Sequence, residues 1–373
     1  MKVSLIHGVC VRHDAISNAI ADQYRWLRAA GHDVRLYAHA CDQPGVACHA
    51  VGALSDVAFD AHFQQSDLVL FHFGIYYTLF DLLPVVPRGA RRVVAFHNIT
   101  PKHLVASAQH ETIDRSFRQM ANIAFADHVL CDSAINLDVL RAARIETPAT
   151  VLPLAVASPP APVPDKPSAG DGIVRLAFVG RLVGSKGPQD LLAALRQVLA
   201  QTGPDVRLAL DVVANVAFSD PALLDMMRAA ATNLPRDAGD RIVVRLHGDA
   251  PEDDKERILR DADVFVLPTR HEGFCVPIVE ALAAGCKVIT YDNSNTPAVT
   301  GGLANLVPTG DVDALARALA ADIAQVRSPA WRPAGAGGYG EYALGAWRFV
   351  QQFSPAPVRQ RFIDAVGSLV NVD

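Results

Sequence analysis

Short runs of aliphatic and β-branched residues recur along the chain, each followed by a segment with helical character, and this alternation leaves few folds open. In the first half such runs fall at 3–7, 33–37, 67–73, 92–96, 127–133 and 149–154, with helical stretches at 14–30 and 134–143. In the second half they fall at 173–179, 206–213, 241–246, 264–267 and 287–291. Helices are expected there at 189–200, 221–231, 252–260 and 311–326. Runs such as Val264-Phe265-Val266-Leu267 are apolar at every position rather than at every second one, as in strands covered on both faces. Strands of that kind alternating with helices predict an α/β chain with doubly wound parallel sheets.

Between 155 and 172 the pattern stops, and prolines stand at 159, 160, 162, 164 and 167. This reads as a stiff, extended linker over 158–171, separating a Rossmann-like domain at 1–157 from a second at 172–345. Two such domains would face one another across a cleft. A chain of 373 residues, half of them hydrophobic, is large enough for two cores. Residues 328–339, rich in Pro, Gly and Ala, read as a flexible surface loop, and helices are expected near 342–353 and 357–369.

The formal net charge of -5 offers no basic field for nucleic acid. Six cysteines without a Cys-x-x-Cys pair read as reduced, mostly buried thiols in a cytoplasmic protein, and the thirteen histidines suggest no metal site. The first residues enter a strand without a leader, and no run approaches the roughly 20 apolar residues of a membrane span, so any membrane contact is expected to be peripheral.

In open α/β sheets ligands sit beyond the carboxyl ends of strands, where the first amides of a helix are unpaired donors. After Val264–Leu267 the chain is broken by Pro268 and Gly273 and then becomes a helix ending at Gly285, so Gly273, Phe274, Cys275 and Val276 would present such amides. Glu272 and Glu280 bracket this turn. They read either as solvated acids or as acceptors for a polyhydroxylated ligand and a ribose, and Glu280 is unusual in lying among Ile278, Val279, Ala281 and Leu282. Arg181 and Lys186 flank another turn before a helix that Pro188 suits as a first residue. They are solvated cations or a clamp for a diphosphate. His97 ends the 92–96 run, either as a hydrogen-bonded structural residue or facing a cleft, and His72 is a lesser candidate. His247 and Gly248, at another strand end, are secondary candidates for contact with a base. The turn 8–14 has one glycine, and no Gly-x-Gly-x-x-Gly follows any expected strand, which disfavours a dinucleotide enzyme.

The pattern Glu272-Gly273-Phe274-x-x-Pro277-x-x-Glu280-Ala281 resembles the Glu-x7-Glu signature of retaining glycosyltransferases of family 4, which have the GT-B fold. Gly180-Arg181-Leu182, with Lys186-Gly187, is similar to that family's diphosphate grip. His97-Asn98-Ile99-Thr100-Pro101 resembles the histidine motif of its bacterial surface-polysaccharide members. The resemblance implies catalytic roles for His97 and Glu272, and donor binding by Arg181, Lys186, Gly273, Phe274, Cys275, Val276 and Glu280. It also implies a final segment, 346–373, crossing back to the first domain. Three departures are visible. Cys275 stands where glycine is common, Ala298 replaces an acid, and the loop after the first strand carries His13-Asp14 in place of glycines, so Asp14 is carried over only as a secondary candidate.

What this implies is transfer of a hexose with retention and without a metal or other cofactor. GDP-mannose is the favoured donor, and a glycan or polyprenyl-linked oligosaccharide at the cytoplasmic face of the inner membrane the acceptor, as in exopolysaccharide or O-antigen synthesis. A UDP-sugar donor, a sugar-nucleotide epimerase and a non-catalytic nucleotide-sugar binding module are the alternatives. An epimerase would need no acceptor, and a binding module would show no turnover.

Overall fold

The computed structural model describes residues 1–331 and 338–370. The first seven strands of its two large sheets are β1 (Lys2–Ile6), β2 (Asp33–Ala38), β3 (Cys48–Ala50), β4 (Leu68–Phe73), β5 (Arg91–Phe96), β6 (His128–Cys131) and β7 (Ala149–Val151). They form one sheet in the order β3-β2-β1-β4-β5-β6-β7. Every neighbouring pair is parallel. All six residues of β4 are buried, which is why its sequence runs apolar without alternation. The chain starts in the middle, moves out to β3 and returns on the far side of β1. Strand order therefore reverses between β1 and β4, opening the crevice where such sheets take ligands.

The second sheet repeats this plan with β8 (Ile173–Val179), β9 (Arg207–Ala214), β10 (Ile242–Gly248), β11 (Val264–Leu267), β12 (Lys287–Asp292) and β13 (Ala304–Pro308). Their order is β10-β9-β8-β11-β12-β13, again all parallel. Here the reversal lies between β8 and β11. The doubly wound reading thus holds for both sheets. Strands β3 and β13 escaped it for a physical reason: both are edge strands, and in β13 only Val307 is buried, so neither needs an apolar run. The helix His110–Met120 also went unread.

The chain divides into two compact units, Met1–Ala155 with Pro355–Asp373, and Val156–Ser354. Residues 158–171, expected as a stiff, extended linker between the domains, belong to the second. Trp347 Nε1 donates to Pro159 O at 2.9 Å. Lys166 is buried, its ammonium donating to Arg260 O at 2.9 Å and Ala284 O at 2.7 Å, the open carbonyl ends of two helices. The expected boundary at 345/346 falls inside the helix Tyr339–Val350, which stays with the second unit. Only the helix Pro355–Val370 joins the first unit. Its Val358, Phe362 and Val366 share a core with Ile20, Tyr24 and Leu27 of the helix Ala15–Ala29. Of the expected surface loop 328–339, residues 332–337 lie outside the described residues, as do 371–373 of the final segment. Among the described residues no helix is long and apolar enough to cross a membrane.

Removing Lys166 would leave the buried Ala284 carbonyl without this donor, at a cost of about 1–3 kcal/mol, while the carbonyl of the exposed Arg260 can turn to water. Lys166→Ala is expected to lower the urea midpoint of the second unit with its slope unchanged, a loss of about 1–3 kcal/mol in unfolding free energy.

Candidate functional site

In the second unit the loops leaving β8 and β11 lie side by side at the reversal of strand order. The first makes a single tight turn, Gly184–Lys186, then Gly187 at φ +67°, then Pro188 as the first residue of the helix Pro188–Gln201. A Cβ on Gly187 would stand 2.2 Å from Pro268 O, so only glycine allows the two backbones this close. Arg270 N and Thr269 Oγ1 both donate to Ser185 O, at 2.7 and 3.2 Å. Asp190 Oδ2 accepts from Arg270 Nη2 at 2.6 Å and from Tyr291 OH at 2.8 Å.

This lacing brings Lys186 Nζ to 2.5 Å from Glu272 Oε1, with the side chains 14% and 8% exposed. Glu272 N in turn donates to Ser294 Oγ at 2.9 Å. Burial pushes the Glu272 carboxyl up, but the charge and hydrogen bond of Lys186, with further hydrogen bonds from Thr269 and Cys275, outweigh it and hold the group below its ordinary 4.5. Arg181 is exposed, and its guanidinium has no partner among the described residues. A paired, ionised acid and an unspent guanidinium thus flank one helix start.

Following β11, Cys275 takes φ +83°, a left-handed conformation that glycine accepts most readily, and opens the helix Val276–Ala283. The amides of Gly273, Phe274 and Cys275 donate to no acceptor among the described residues. Phe274 is buried edge-on against Phe353, ring centres 5.4 Å apart. Glu280 is not solitary: Lys255 Nζ lies 2.7 Å from its Oε1 and 2.6 Å from Glu252 Oε1. Burial raises the Glu280 carboxyl in spite of Lys255. The sequence reading missed both Lys255, one charge in an acid-rich helix, and Ser294. His247 Nε2 is held by Asp211 Oδ1 at 2.7 Å, and Gly248 closes β10.

In the first unit, neighbouring strands β1, β4, β5 and β6 place His7, His72, His97 and Asp132 in a row at or just beyond their carboxyl ends. His97 Nδ1 lies 2.8 Å from Asp132 Oδ2 and His97 Nε2 lies 3.0 Å from His72 Nδ1, so both of its nitrogens are engaged and its side chain is 3% exposed. An imidazole free to touch a sugar, as the resemblance implies for His97, is therefore not what this arrangement presents. Asp14 is also occupied. Its carboxylate caps the helix Ala15–Ala29, accepting from Ser17 N at 2.9 Å and Ser17 Oγ at 2.7 Å. Nothing in the sequence marked His7 or Asp132, since their partners come from other strands.

Residues 174–324, which carry the Lys186–Glu272 pair, match the family described as glycosyl transferases group 1. These residues belong to that family. The chain is 32% identical over 142 residues to a D-inositol 3-phosphate glycosyltransferase of Corynebacterium aurimucosum, 38% of this chain and 30% of that protein. It is 29% identical over 89 residues to O-antigen chain mannosyltransferase B of Escherichia coli, 24% of this chain and 23% of that protein. Each alignment thus spans under a third of the relative's length. A sucrose-phosphate synthase from Thermosynechococcus elongatus is similar across 100% of this chain and 99% of its own, with a TM-score of 0.71 at 18% identity. The fold is GT-B.

Two outcomes test the loop geometry. Gly187→Ala should force Pro268 and Lys186 apart and destabilise the second unit by more than about 1 kcal/mol, seen as a lower urea midpoint. Lys186→Met would leave Glu272 buried and unpaired, a loss of roughly 3–5 kcal/mol at neutral pH. Because the folded Glu272 lies below its unfolded 4.5, the pair's contribution is present above that pH and fades as pH falls through the folded value. Melting curves of wild type and Lys186→Met should accordingly converge in acid.

Proposed function

We propose that the chain is a retaining glycosyltransferase that moves a hexose from a nucleoside diphosphate, with mannose from GDP-mannose the favoured donor, to a glycan or polyprenyl-linked oligosaccharide. The observation that carries this reading is the buried Lys186–Glu272 pair beside an unspent Arg181 at a helix start, inside the group 1 region. Breaking a glycosyl–phosphate bond leaves negative charge on the diphosphate. Fixed donors aimed at that charge stabilise it most effectively. Arg181, Lys186 and the amides of Gly273, Phe274 and Cys275 are donors of that kind. They would do the work that a magnesium ion does elsewhere, so no metal is invoked.

In this scheme Glu272 accepts hydrogen bonds from the sugar hydroxyls, and its contact with Lys186 keeps it ionised for that purpose. Glu280 would hold the ribose, exchanging part of its contact with Lys255 for the diol. The acceptor oxygen attacks the anomeric carbon on the face the diphosphate leaves, and its proton passes to the departing phosphate oxygen. A mannosyltransferase of O-antigen chains among the relatives supports mannose and a surface glycan. Action at the cytoplasmic face of a membrane belongs to the same proposal.

The test is incubation with GDP-mannose and a mannoside acceptor in the presence of EDTA, with the anomeric configuration of the product read by NMR. Transfer with retention, undiminished by EDTA, is expected, and Arg181→Ala should lower the rate about 100-fold or more. Inversion, or full dependence on added metal, would refute the scheme.

A further inference from the structure

Three of the six cysteines come together in the first unit, outside the group 1 region. Two short strands beside the large sheet, Val9–Cys10 and Ala40–Cys41, pair in parallel with Cys10 directly opposite Cys41. Partners in one register row point to the same face, with the strands about 4.8 Å apart. That spacing lies within the roughly 4.4–6.8 Å between α carbons that a disulfide spans. Beyond Cys41 the chain turns at Pro44 and Gly45, the latter at φ +73°, and returns as β3, which begins at Cys48. Cys41 and Cys48 both pack against the core that contains Cys10. Cys41 thus stands between two thiols.

The backbone holds this approach without a covalent bond. Asp42 N donates to Cys10 O at 3.0 Å and His39 N to Gly8 O at 2.8 Å. Gln43 Nε2 donates to Val11 O at 2.8 Å, and Asp42 Oδ1 accepts from Arg12 N at 2.8 Å. Thiols fixed side by side in this way react with one another far faster than free thiols do. Exposure sets the order of events. Cys10 is buried, as are Cys131, Cys275 and Cys286, whereas Cys41 and Cys48 are half-buried, so a reagent reaches the cluster through these two. Burial, the charge of Cys41 and a hydrogen bond with it push the Cys48 thiol up to about 11, and the same causes raise Cys10. Neither neighbour ionises readily while Cys41 can carry charge.

We propose that Cys41, Cys48 and Cys10 form a thiol–disulfide exchange site, in which Cys41 bonds to either neighbour when a low-molecular-weight disulfide oxidises it. The Cys41 thiolate attacks one sulfur of that disulfide and expels the other half as a thiolate, leaving Cys41 in a mixed disulfide. Its charge and its hydrogen bond then no longer oppose ionisation of Cys48 or Cys10. The thiolate formed there attacks Cys41 Sγ and expels the second half. Two protein thiols become one disulfide, the reagent becomes two thiols, and the two protons go to solvent or to the released thiolates. The bond ties β3 or the turn after β1 to the strand Ala40–Cys41. None of this rests on the function proposed above.

The test is incubation of the reduced full chain with oxidised glutathione under nitrogen, at about pH 8, where an ordinary thiol is partly ionised. Remaining thiols are then blocked with N-ethylmaleimide in denaturant, and the products are read by intact mass and by peptide mapping without reduction. Cleavage before Asp42 separates Cys41 from Cys48, so each pairing gives its own joined fragments. The wild type should lose two thiols, retain no glutathione, and show Cys41 joined to Cys48 or Cys10. Cys48→Ser should carry the bond at Cys10 and Cys10→Ser at Cys48, whereas Cys41→Ser should form no internal bond; if that variant fails to fold, Cys41→Ala replaces it. Six unchanged thiols in the wild type, glutathione retained on Cys41 without an internal bond, or an internal bond that survives the loss of Cys41 would overturn the proposal.

Discussion

Lys186 and Glu272 come from loops 86 residues apart in sequence and meet because one backbone has no Cβ at Gly187 where the other presents the carbonyl of Pro268. The candidate donor site depends on that approach. Burying an acid and an ammonium together is rarely a gain in stability by itself, since desolvation consumes most of the attraction. The pair is better understood as a way of keeping an ionised carboxylate in a nearly dry place, next to unpaired amides and an open guanidinium. Asp190, Tyr291 and Ser185 exist in this account as the lacing that holds the two loops in register.

The two units solve the same topological problem alike. Each sheet starts from a central strand and reverses its order beside it, and the second unit places Arg181, Lys186 and Glu272 at that reversal.

Much of this was legible in the sequence because burial on both faces imposes a pattern that cannot be hidden. The central strands announced themselves as continuous apolar runs, whereas edge strands such as Cys48–Ala50, with one face in water, carried no such mark. In the second unit Arg181, Lys186 and Glu272 were candidates beforehand because each lies close to a strand or helix end, and the family resemblance singled them out from solvated charges. What local spacing cannot give is the partner that arrives from elsewhere in the chain. Lys255 beside Glu280, Ser294 beside Glu272 and Asp132 beside His97 are separated from them by 22 to 35 residues. For His97 that omission changed the meaning of the residue, from a free imidazole to one with both nitrogens engaged.

The central claim is that the second unit recognises the terminal phosphate of a nucleoside diphosphate by fixed protein charge. Calorimetric titration of the full chain with GDP and with GMP, in EDTA, tests it most directly. The account predicts that GDP binds more tightly than GMP by at least about tenfold, or 1.4 kcal/mol, and that Arg181→Ala removes most of that difference. Equal affinity for the two nucleotides, or a preference for GDP that survives the loss of Arg181, would contradict it.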